Sequence, residues 1–532
     1  MQEVSQSWKD THKQTLLNES YVEISLDIAD PNSIKDASAE ANGSIYISDT
    51  PEIVSEVDTP VIPYGTLEQN IFLLDGSRKN IPENEYLDGG FVGDVLSNEE
   101  CVFNEKIPII TINFTTLHTK IIPGITITWG TAYNEYASSF IVTAYDDNNT
   151  IVAEKSVIDN TSITSIVMMD IVNYKRIEIR ILSWCLPNRR ARVDEVFIGI
   201  NKVYTKTDLM SYSHSQSVDP ISTSLPKMEI KFSIDNSDNS YNPYNLGGLA
   251  KYLTERQELK TRYGLKLNDN TIEWVKGGTF YLSEWYAKQN GISAEFVARD
   301  LLEFMSTTYN DNITEIKERS LGELAEQLLE SANLPKLSNG NNMWFIDSSL
   351  YDIKTKAPLP KDSIANCLQI IANMGCCVIY PNREGILHIE PITNNSTDYI
   401  INSFNSYSKS EITFSKALKE VIVKVYTYTL TNDGVNSSSV DKIIHISDEG
   451  ESITIDNPLV TDNDRADILG NWVGNYLKNR ITLRSSVRAD VRLDALDIVT
   501  NENDYGTNNV RMTNVDFTFN GAFRGTGEGR VI

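Results

Sequence analysis

The chain has 532 residues, 40% of them hydrophobic and 23% charged, with 73 Asp and Glu against 47 Lys and Arg for a formal charge of −26. That length exceeds a single core and predicts roughly three to four domains, while the apolar content excludes a disordered chain. The acidic balance argues against a nucleic-acid surface, because such affinity rests on clustered Lys and Arg neutralising phosphates.

The first twenty residues, MQEVSQSWKDTHKQTLLNES, carry no apolar core of a signal peptide, and no run of about 18 apolar residues occurs anywhere. A soluble protein made in the cytoplasm is expected. Cys101, Cys185, Cys367, Cys376 and Cys377 form an odd, irregular set that reads as reduced thiols, not a disulfide framework. Cys376 and Cys377 are expected on opposite faces of a strand, and the five histidines show no His-x-x-x-His spacing, so no metal site is predicted.

In chain order, residues 21–27 (YVEISLD) alternate as a first strand. Residues 28–70 are rich in Asp, Ser, Glu and Pro, with a short strand at 44–47, and 64–74 lead into the turn signal Asp75-Gly76-Ser77. Residues 1–80 thus read as an arm that completes a barrel built by later sequence.

From 81 to 202 the texture becomes evenly spaced strands, at 110–114, 125–129, 140–144, 151–157, 163–169, 176–183 and 193–200. Many short strands between turn residues predict a sandwich, not a parallel sheet. The ending IEIRILSWCLPNRRARVDEVFIGI resembles the last strands of galactose-binding-like jelly rolls. That resemblance implies sugar binding through loops at one end, with Trp129, Tyr133, Trp184, Arg189, Arg190 and Arg192 as candidate glycan or partner contacts. An exposed Trp stacks on a sugar face and Arg bonds hydroxyls or carboxylates. Read from the strand pattern alone, Trp129 and Trp184 belong to the core, and the arginines equally suit contact with a neighbouring subunit.

Residues 203–305 open with the alternating Met228, Ile230, Phe232 and Ile234, stopped by Asp235-Asn236-Ser237-Asp238-Asn239, whose side chains bond their own backbone. Tyr241-Asn242-Pro243, the Tyr-Leu-x-x-Arg-Gln run at 252–257 and Phe280-Tyr281-Leu282 follow, with Gly277-Gly278 as a turn between strands. This order of motifs resembles the hub-type tail and baseplate proteins of phages and phage tail-like particles of Gram-positive bacteria. Between 306 and 400 the period switches to 3.6. Ser320-Leu321-Gly322-Glu323 is a capping box for a helix with Leu321, Leu324, Ala325, Leu328, Leu329 and Ala332 on one face. A second helix follows Pro360, buries Ile364, Cys367, Leu368, Ile371 and Ala372, and stops at Gly375 before a hairpin at 377–389. This α+β module continues the same resemblance.

Residues 401–532 predict strands at 412–414, 421–428, 443–446, 485–491 and 510–519. A helix at 464–478 sets Ile468, Leu469, Trp472, Val473 and Tyr476 on its apolar stripe. The glycines at 521, 525, 527 and 529 read as a turn and close packing, since no helix follows them to cradle a phosphate. By the resemblance this segment is a second barrel that ends the chain, so no cell-wall hydrolase domain is expected.

No Gly-x-Ser-x-Gly elbow, marked carboxylate pair or twelve-residue calcium loop stands out, and the acidic loops at Asp146/Asp147 and Asp235/Asp238 read as solvated turns. A glycoside hydrolase would need βα alternation that 306–532 lacks. The expectation is a mainly β protein with a small α+β module: tandem β-barrel hub domains plus an inserted β-sandwich. It is expected to have no catalytic residue, cofactor or metal and not to be an enzyme. The hub resemblance implies a central baseplate component joining the tail tube to the spike. It implies a homotrimer in contact with tube, spike and other baseplate proteins, located in the virion tail and released by lysis. The alternative is a receptor- or glycan-binding tail protein acting on cell-wall glycan through the jelly-roll insert, which minimal hubs lack. Neither reading includes stable nucleic-acid binding or membrane insertion.

Overall fold

The computed structural model describes every residue except 15–17, 56–64, 66–67, 69–89, 289–290, 311–315, 338–340, 395 and 432–433. The strand and turn expected at 64–77 lie outside the described residues, Gly65 and Glu68 apart.

The protein is mainly β, with several sheets and few helices. Two sheets make a sandwich. One runs Phe91–Leu96, Arg190–Phe197, Ile122–Trp129, Thr164–Ile171; the other runs Ala37–Ala41, Ile109–His118, Tyr174–Trp184, Ala137–Tyr145, Ile151–Val157. Alternation sets the inner face: Ile110, Ile112 and Phe114 from one strand meet Ile177, Ile179 and Ile181 of its neighbour around Trp129, Phe140 and Trp184. The sandwich also takes in Ala39 and Ile53. Ser44 makes only an isolated bridge to Gly93, so the short strand expected at 44–47 is replaced by Ala37–Ala41. That ASAEA stretch has weak strand propensity and forms through its pairing with Ile109–His118.

The strand read at 193–200 is broken. Its first part, Arg190–Phe197, belongs to the sandwich, and Gly199–Tyr204 joins a different sheet against Ser20–Ala29. Gly199 makes the crossing at φ 149°, where a Cβ would lie 2.6 Å from the Ile28 carbonyl oxygen.

Among the described residues the main sheet has 13 strands. Its path is Gly199–Tyr204, Ser20–Ala29, Glu258–Lys266, Ile272–Ala287, Ser293–Arg299, Lys227–Asp235, Leu209–Ser217, Gly506–Phe519, Phe523–Val531, Ile481–Arg488, Glu411–Phe414, antiparallel throughout. Ile498–Asn503 and Ser396–Ile401 branch from Gly506–Phe519. Leu209–Ser217 is the hinge strand of this layout: Lys227–Asp235 pairs with one edge and Gly506–Phe519 with the other, placing residues 22–28 and 200–298 in one core with 399–531. Gly277 and Gly278 are not a turn. They lie inside Ile272–Ala287 at a bulge opposite Thr261 and Arg262, with Gly278 at φ 148°. Gly525, Gly527 and Gly529 likewise sit within Phe523–Val531, on its buried face beside Ala489, Met512 and Arg511, and only Gly521 of that group makes a turn.

The helix Leu321–Ser331 has the capping box expected at Ser320 and Glu323. Ile364–Met374 is capped by Ser363 and ends through Gly375 at φ −70°, with Cys376 taking the left-handed φ of 56°. Cys376 therefore precedes the strand Cys377–Pro381 and is not its opposite face. The three-stranded sheet Gly434–His445, Leu418–Thr431, Glu451–Ile455 and the helix Asn463–Leu477 share one core with these two helices. The buried face of that last helix is Ala466, Leu469, Gly470, Val473 and Gly474, while Ile468 is 53% exposed. The stripe is rotated because Gly470 and Gly474 admit Ile444 and Ile446 against the helix backbone.

Candidate functional site

Two constellations stand out: an arginine cluster at one end of the sandwich and a charged seam between the sheet and the α+β module.

At the sandwich end, Trp129 closes a strand and the chain turns through Thr131–Tyr133, with Asn134 left-handed at φ 55°. This turn brings Tyr133 and Glu135 over the start of Arg190–Phe197. Trp129 and Trp184 are fully buried, packed edge-to-face at 6.1 Å, and their indole N–H groups donate to Ser165 Oγ and Glu135 Oε2, both at 2.8 Å. Neither can be a sugar platform, which requires an exposed ring face. Arg189 is buried with Glu135, donating from Nε to Oε1 at 2.8 Å. Arg192 lies under the Tyr133 ring, 4.6 Å from its centroid, and Arg190 is the one arginine of the three with a partly exposed side chain.

The structure thus brings all six sequence candidates together, but around two acids that the sequence reading missed. Glu135 orients Arg189 and Trp184. Glu68, from far upstream, meets Arg190 and Arg192. Neither glutamate carries a spacing signal, since a buried carboxylate is chosen by its three-dimensional partners. Asp194 accepts from Thr131 N–H at 2.8 Å, and burial pushes its carboxyl up.

The seam centres on Arg383, at the tip of the hairpin Cys377–Pro381 and Leu387–Pro391. Its side chain is 1% exposed and donates to Asp494 Oδ1 at 2.7 Å, the Lys276 carbonyl at 2.7 Å and the Leu493 carbonyl at 2.9 Å. Burial pushes the Asp494 carboxyl up, but Arg383, Gln2 and the terminal ammonium outweigh it and hold the group below its usual range. Gln216 bridges Asp494 to His214, whose Nδ1 lies 2.6 Å from Tyr263 Oη. Burial, helped by Arg383, pushes His214 down to about 3, so it stays neutral and structural. Beside the seam opens a cleft of about 720 Å³, lined by Glu384, Glu390, Asp398, Asp494 and Asp497 with Lys9 and Arg492. Among the described residues no group of three or more His, Cys, Asp or Glu is placed to hold a metal, and no helix is long and apolar enough to cross a membrane.

No protein family and no curated relative matches the chain. Among solved structures it is similar to the tail protein from Neisseria meningitidis MC58, with 12% identity over 62% of this chain and 93% of that one at a TM-score of 0.42. It is also similar to the prophage MuSo2 43 kDa tail protein from Shewanella oneidensis, at 10% identity, 62% and 94% coverage and TM-score 0.40. A third likeness is to the family 32 CBM from C. perfringens NanJ in complex with galactose, at 14% identity over 34% of this chain and 99% of that one, TM-score 0.20.

Proposed function

We propose that this chain is a structural, non-enzymatic component of a phage tail or contractile tail-like particle, the hub that joins the tail tube to the spike and baseplate. The observation that carries the reading is the main sheet. Two lobes, one built from residues 20–29 and 199–299 and the other from 396–531, meet edge to edge through Leu209–Ser217 and share one core. The motif order at 228–282 that resembles tail hubs falls within the first of these lobes.

Two such lobes per chain suit a trimer in which six lobes surround an axis, since closed rings need a head-to-tail interface that repeats. The far ends of the sheet path, Gly199–Tyr204 and Glu411–Phe414, lie at opposite termini of the strand order. Ile412 and Phe414 on the second are 63% and 64% exposed. An exposed apolar edge strand is an association site unless something covers it, and in this reading the next copy covers it. The net charge of −26 suits a channel that passes DNA without binding it.

The test is the mass of the purified chain by light scattering across a concentration series, with and without the tail-tube protein. A stable particle of three chains of 59.8 kDa supports the reading. A monomer that neither trimerises nor binds the tube overturns it.

A further inference from the structure

Charge is spread unevenly over the main sheet. The two outermost strands at one end of its path, Glu411–Phe414 and Ile481–Arg488, lie within the stretches 402–416 and 478–488. Those stretches hold Lys409, Lys416, Lys478, Arg480, Arg484 and Arg488 against a single acid, Glu411, in a chain of formal charge −26. The next strand, Phe523–Val531, adds Arg524 and Arg530 against Glu528. Lys409 and Lys416 are answered by Asp504 and Glu451. The arginines are held by neutral groups instead. Arg480 donates to the Ser415 carbonyl at 2.7 Å and Arg530 to the Asn479 carbonyl at 2.8 Å, while Arg524 lies 6.0 Å from the Tyr407 ring centroid. Among the described residues Arg480, Arg484, Arg524 and Arg530 make no ion pair, although Arg484 stands opposite Glu411 on one neighbouring strand and Glu528 on the other.

The opposite end of the path has the other sign. Its two outermost strands, Gly199–Tyr204 and Ser20–Ala29, lie within 199–208 and 19–30, where Glu19, Glu23, Asp27, Asp30 and Asp208 face only Lys202 and Lys206 in number. The exposed Asp208 accepts from the Thr205 N–H at 2.8 Å and the Thr205 hydroxyl at 3.0 Å. We propose that the basic end of the main sheet, Glu411–Phe414 with Arg480, Arg484 and Arg524, docks the acidic end of a second copy of this chain, guanidinium to carboxylate around Ile412 and Phe414. The docking rests on the ring proposed above and gives its closing contact a charge code. Opposed charges at such a contact steer encounter and fix register, and exposed Ile412 and Phe414 supply apolar area. Among the described residues Glu411–Phe414 pairs on one side only, so its other edge offers main-chain N–H and C=O groups to a polypeptide. A nucleic acid would stack bases on open ring faces, and Arg480 already caps the Phe414 ring at 4.0 Å.

The experiment is sedimentation velocity of the full-length chain over a concentration series at about 0.05 M and about 0.5 M NaCl, between which the screening length changes about threefold. The same series is run on Arg484→Gln combined with Arg524→Gln. The association constant of the unaltered chain is expected to fall about tenfold at the higher salt. The variant is expected to associate about tenfold more weakly at the lower salt and to respond less to added salt. Arg524→Gln alone replaces the double variant if that one loses its circular dichroism spectrum. Self-association that ignores salt, or a folded variant that associates as the unaltered chain does, overturns this contact and leaves the ring standing. A chain that stays monomeric at every concentration and salt overturns the contact, and the ring with it when the tail-tube protein does not bind either. Binding of a short fluorescent DNA duplex by the unaltered chain and its loss in the variant also overturn the contact, in favour of a nucleic-acid surface.

Discussion

Arg383 and Asp494 meet at 2.7 Å across the seam where the α+β module touches the main sheet, a hairpin tip locked to a loop that lies 111 positions away in sequence. The guanidinium also donates to two main-chain carbonyls, one on Ile272–Ala287 and one beside Asp494, so three separate stretches of chain are fixed by one side chain. Removing the buried guanidinium takes its donors from Asp494 and from the Lys276 and Leu493 carbonyls, and polar groups left unsatisfied in this way cost about 1–3 kcal/mol. Arg383→Met is therefore expected to lower stability by that order in urea titration. Arg383→Met combined with Asp494→Leu is expected to cost less than the sum of the two single changes.

Asp300 supplies a pH dependence of defined sign. Its carboxylate accepts from Met228 N–H at 2.8 Å and Leu302 N–H at 2.9 Å, but burial dominates and pushes it up to about 7. An unfolded Asp titrates near about 3.9. Between those values the folded chain holds a proton that the unfolded chain has lost, so stability falls as pH rises from about 4 to about 7 and levels off above. Asp300→Asn imitates the protonated form. The loss of stability between pH 5 and pH 8, measured by urea unfolding, is expected to be smaller in the variant than in the unaltered chain.

The helix Asn463–Leu477 gives a prediction that opposes intrinsic propensity. Alanine is worth about 1 kcal/mol over glycine in an exposed helix. Here a Cβ on Gly470 would meet Ile444 Cδ1 at 2.6 Å, and one on Gly474 would press on Ile446. Overpacking costs about 1–3 kcal/mol. Gly470→Ala is expected to lower the melting temperature, whereas Ile468→Ser, on the exposed face, is expected to leave it nearly unchanged.

Much of this was legible in the sequence because period carries burial. The alternation at Met228–Ile234 and the capping box at Ser320 and Glu323 depend on local chemistry, and both elements formed where expected. What failed depends on distant partners. Gly277-Gly278 reads locally as a turn but answers a register shift in the neighbouring strand. Ile468 counts as apolar in any stripe, yet glycines chose the buried face because a strand had to approach closely. Ala37–Ala41 is a strand only because Ile109–His118 offers it an edge. The site followed the same division. Trp129 and Trp184 were placed in the core by their strand pattern, while Glu68, Glu135 and Arg383 are defined by contacts that no spacing announces.

The edge strand Glu411–Phe414 separates assembly from folding. All four of its residues are exposed, and Arg480 covers the Phe414 ring at 4.0 Å without burying it. Inside one chain these side chains contribute little, because exposed substitutions away from special features change stability by within about 0.5 kcal/mol. In the ring proposed above they would form the apolar centre of the interface between chains, where losing an aromatic anchor costs about 2 kcal/mol or more. If the proposed trimer closes through this edge, Ile412→Asp with Phe414→Ser is expected to leave the circular dichroism spectrum and melting temperature of the dilute chain intact and to convert trimer to monomer in light scattering. Because a trimer repeats the interface three times, the loss is expected to be steep with dilution. A doubly substituted chain that still trimerises would show that the ring closes through another surface.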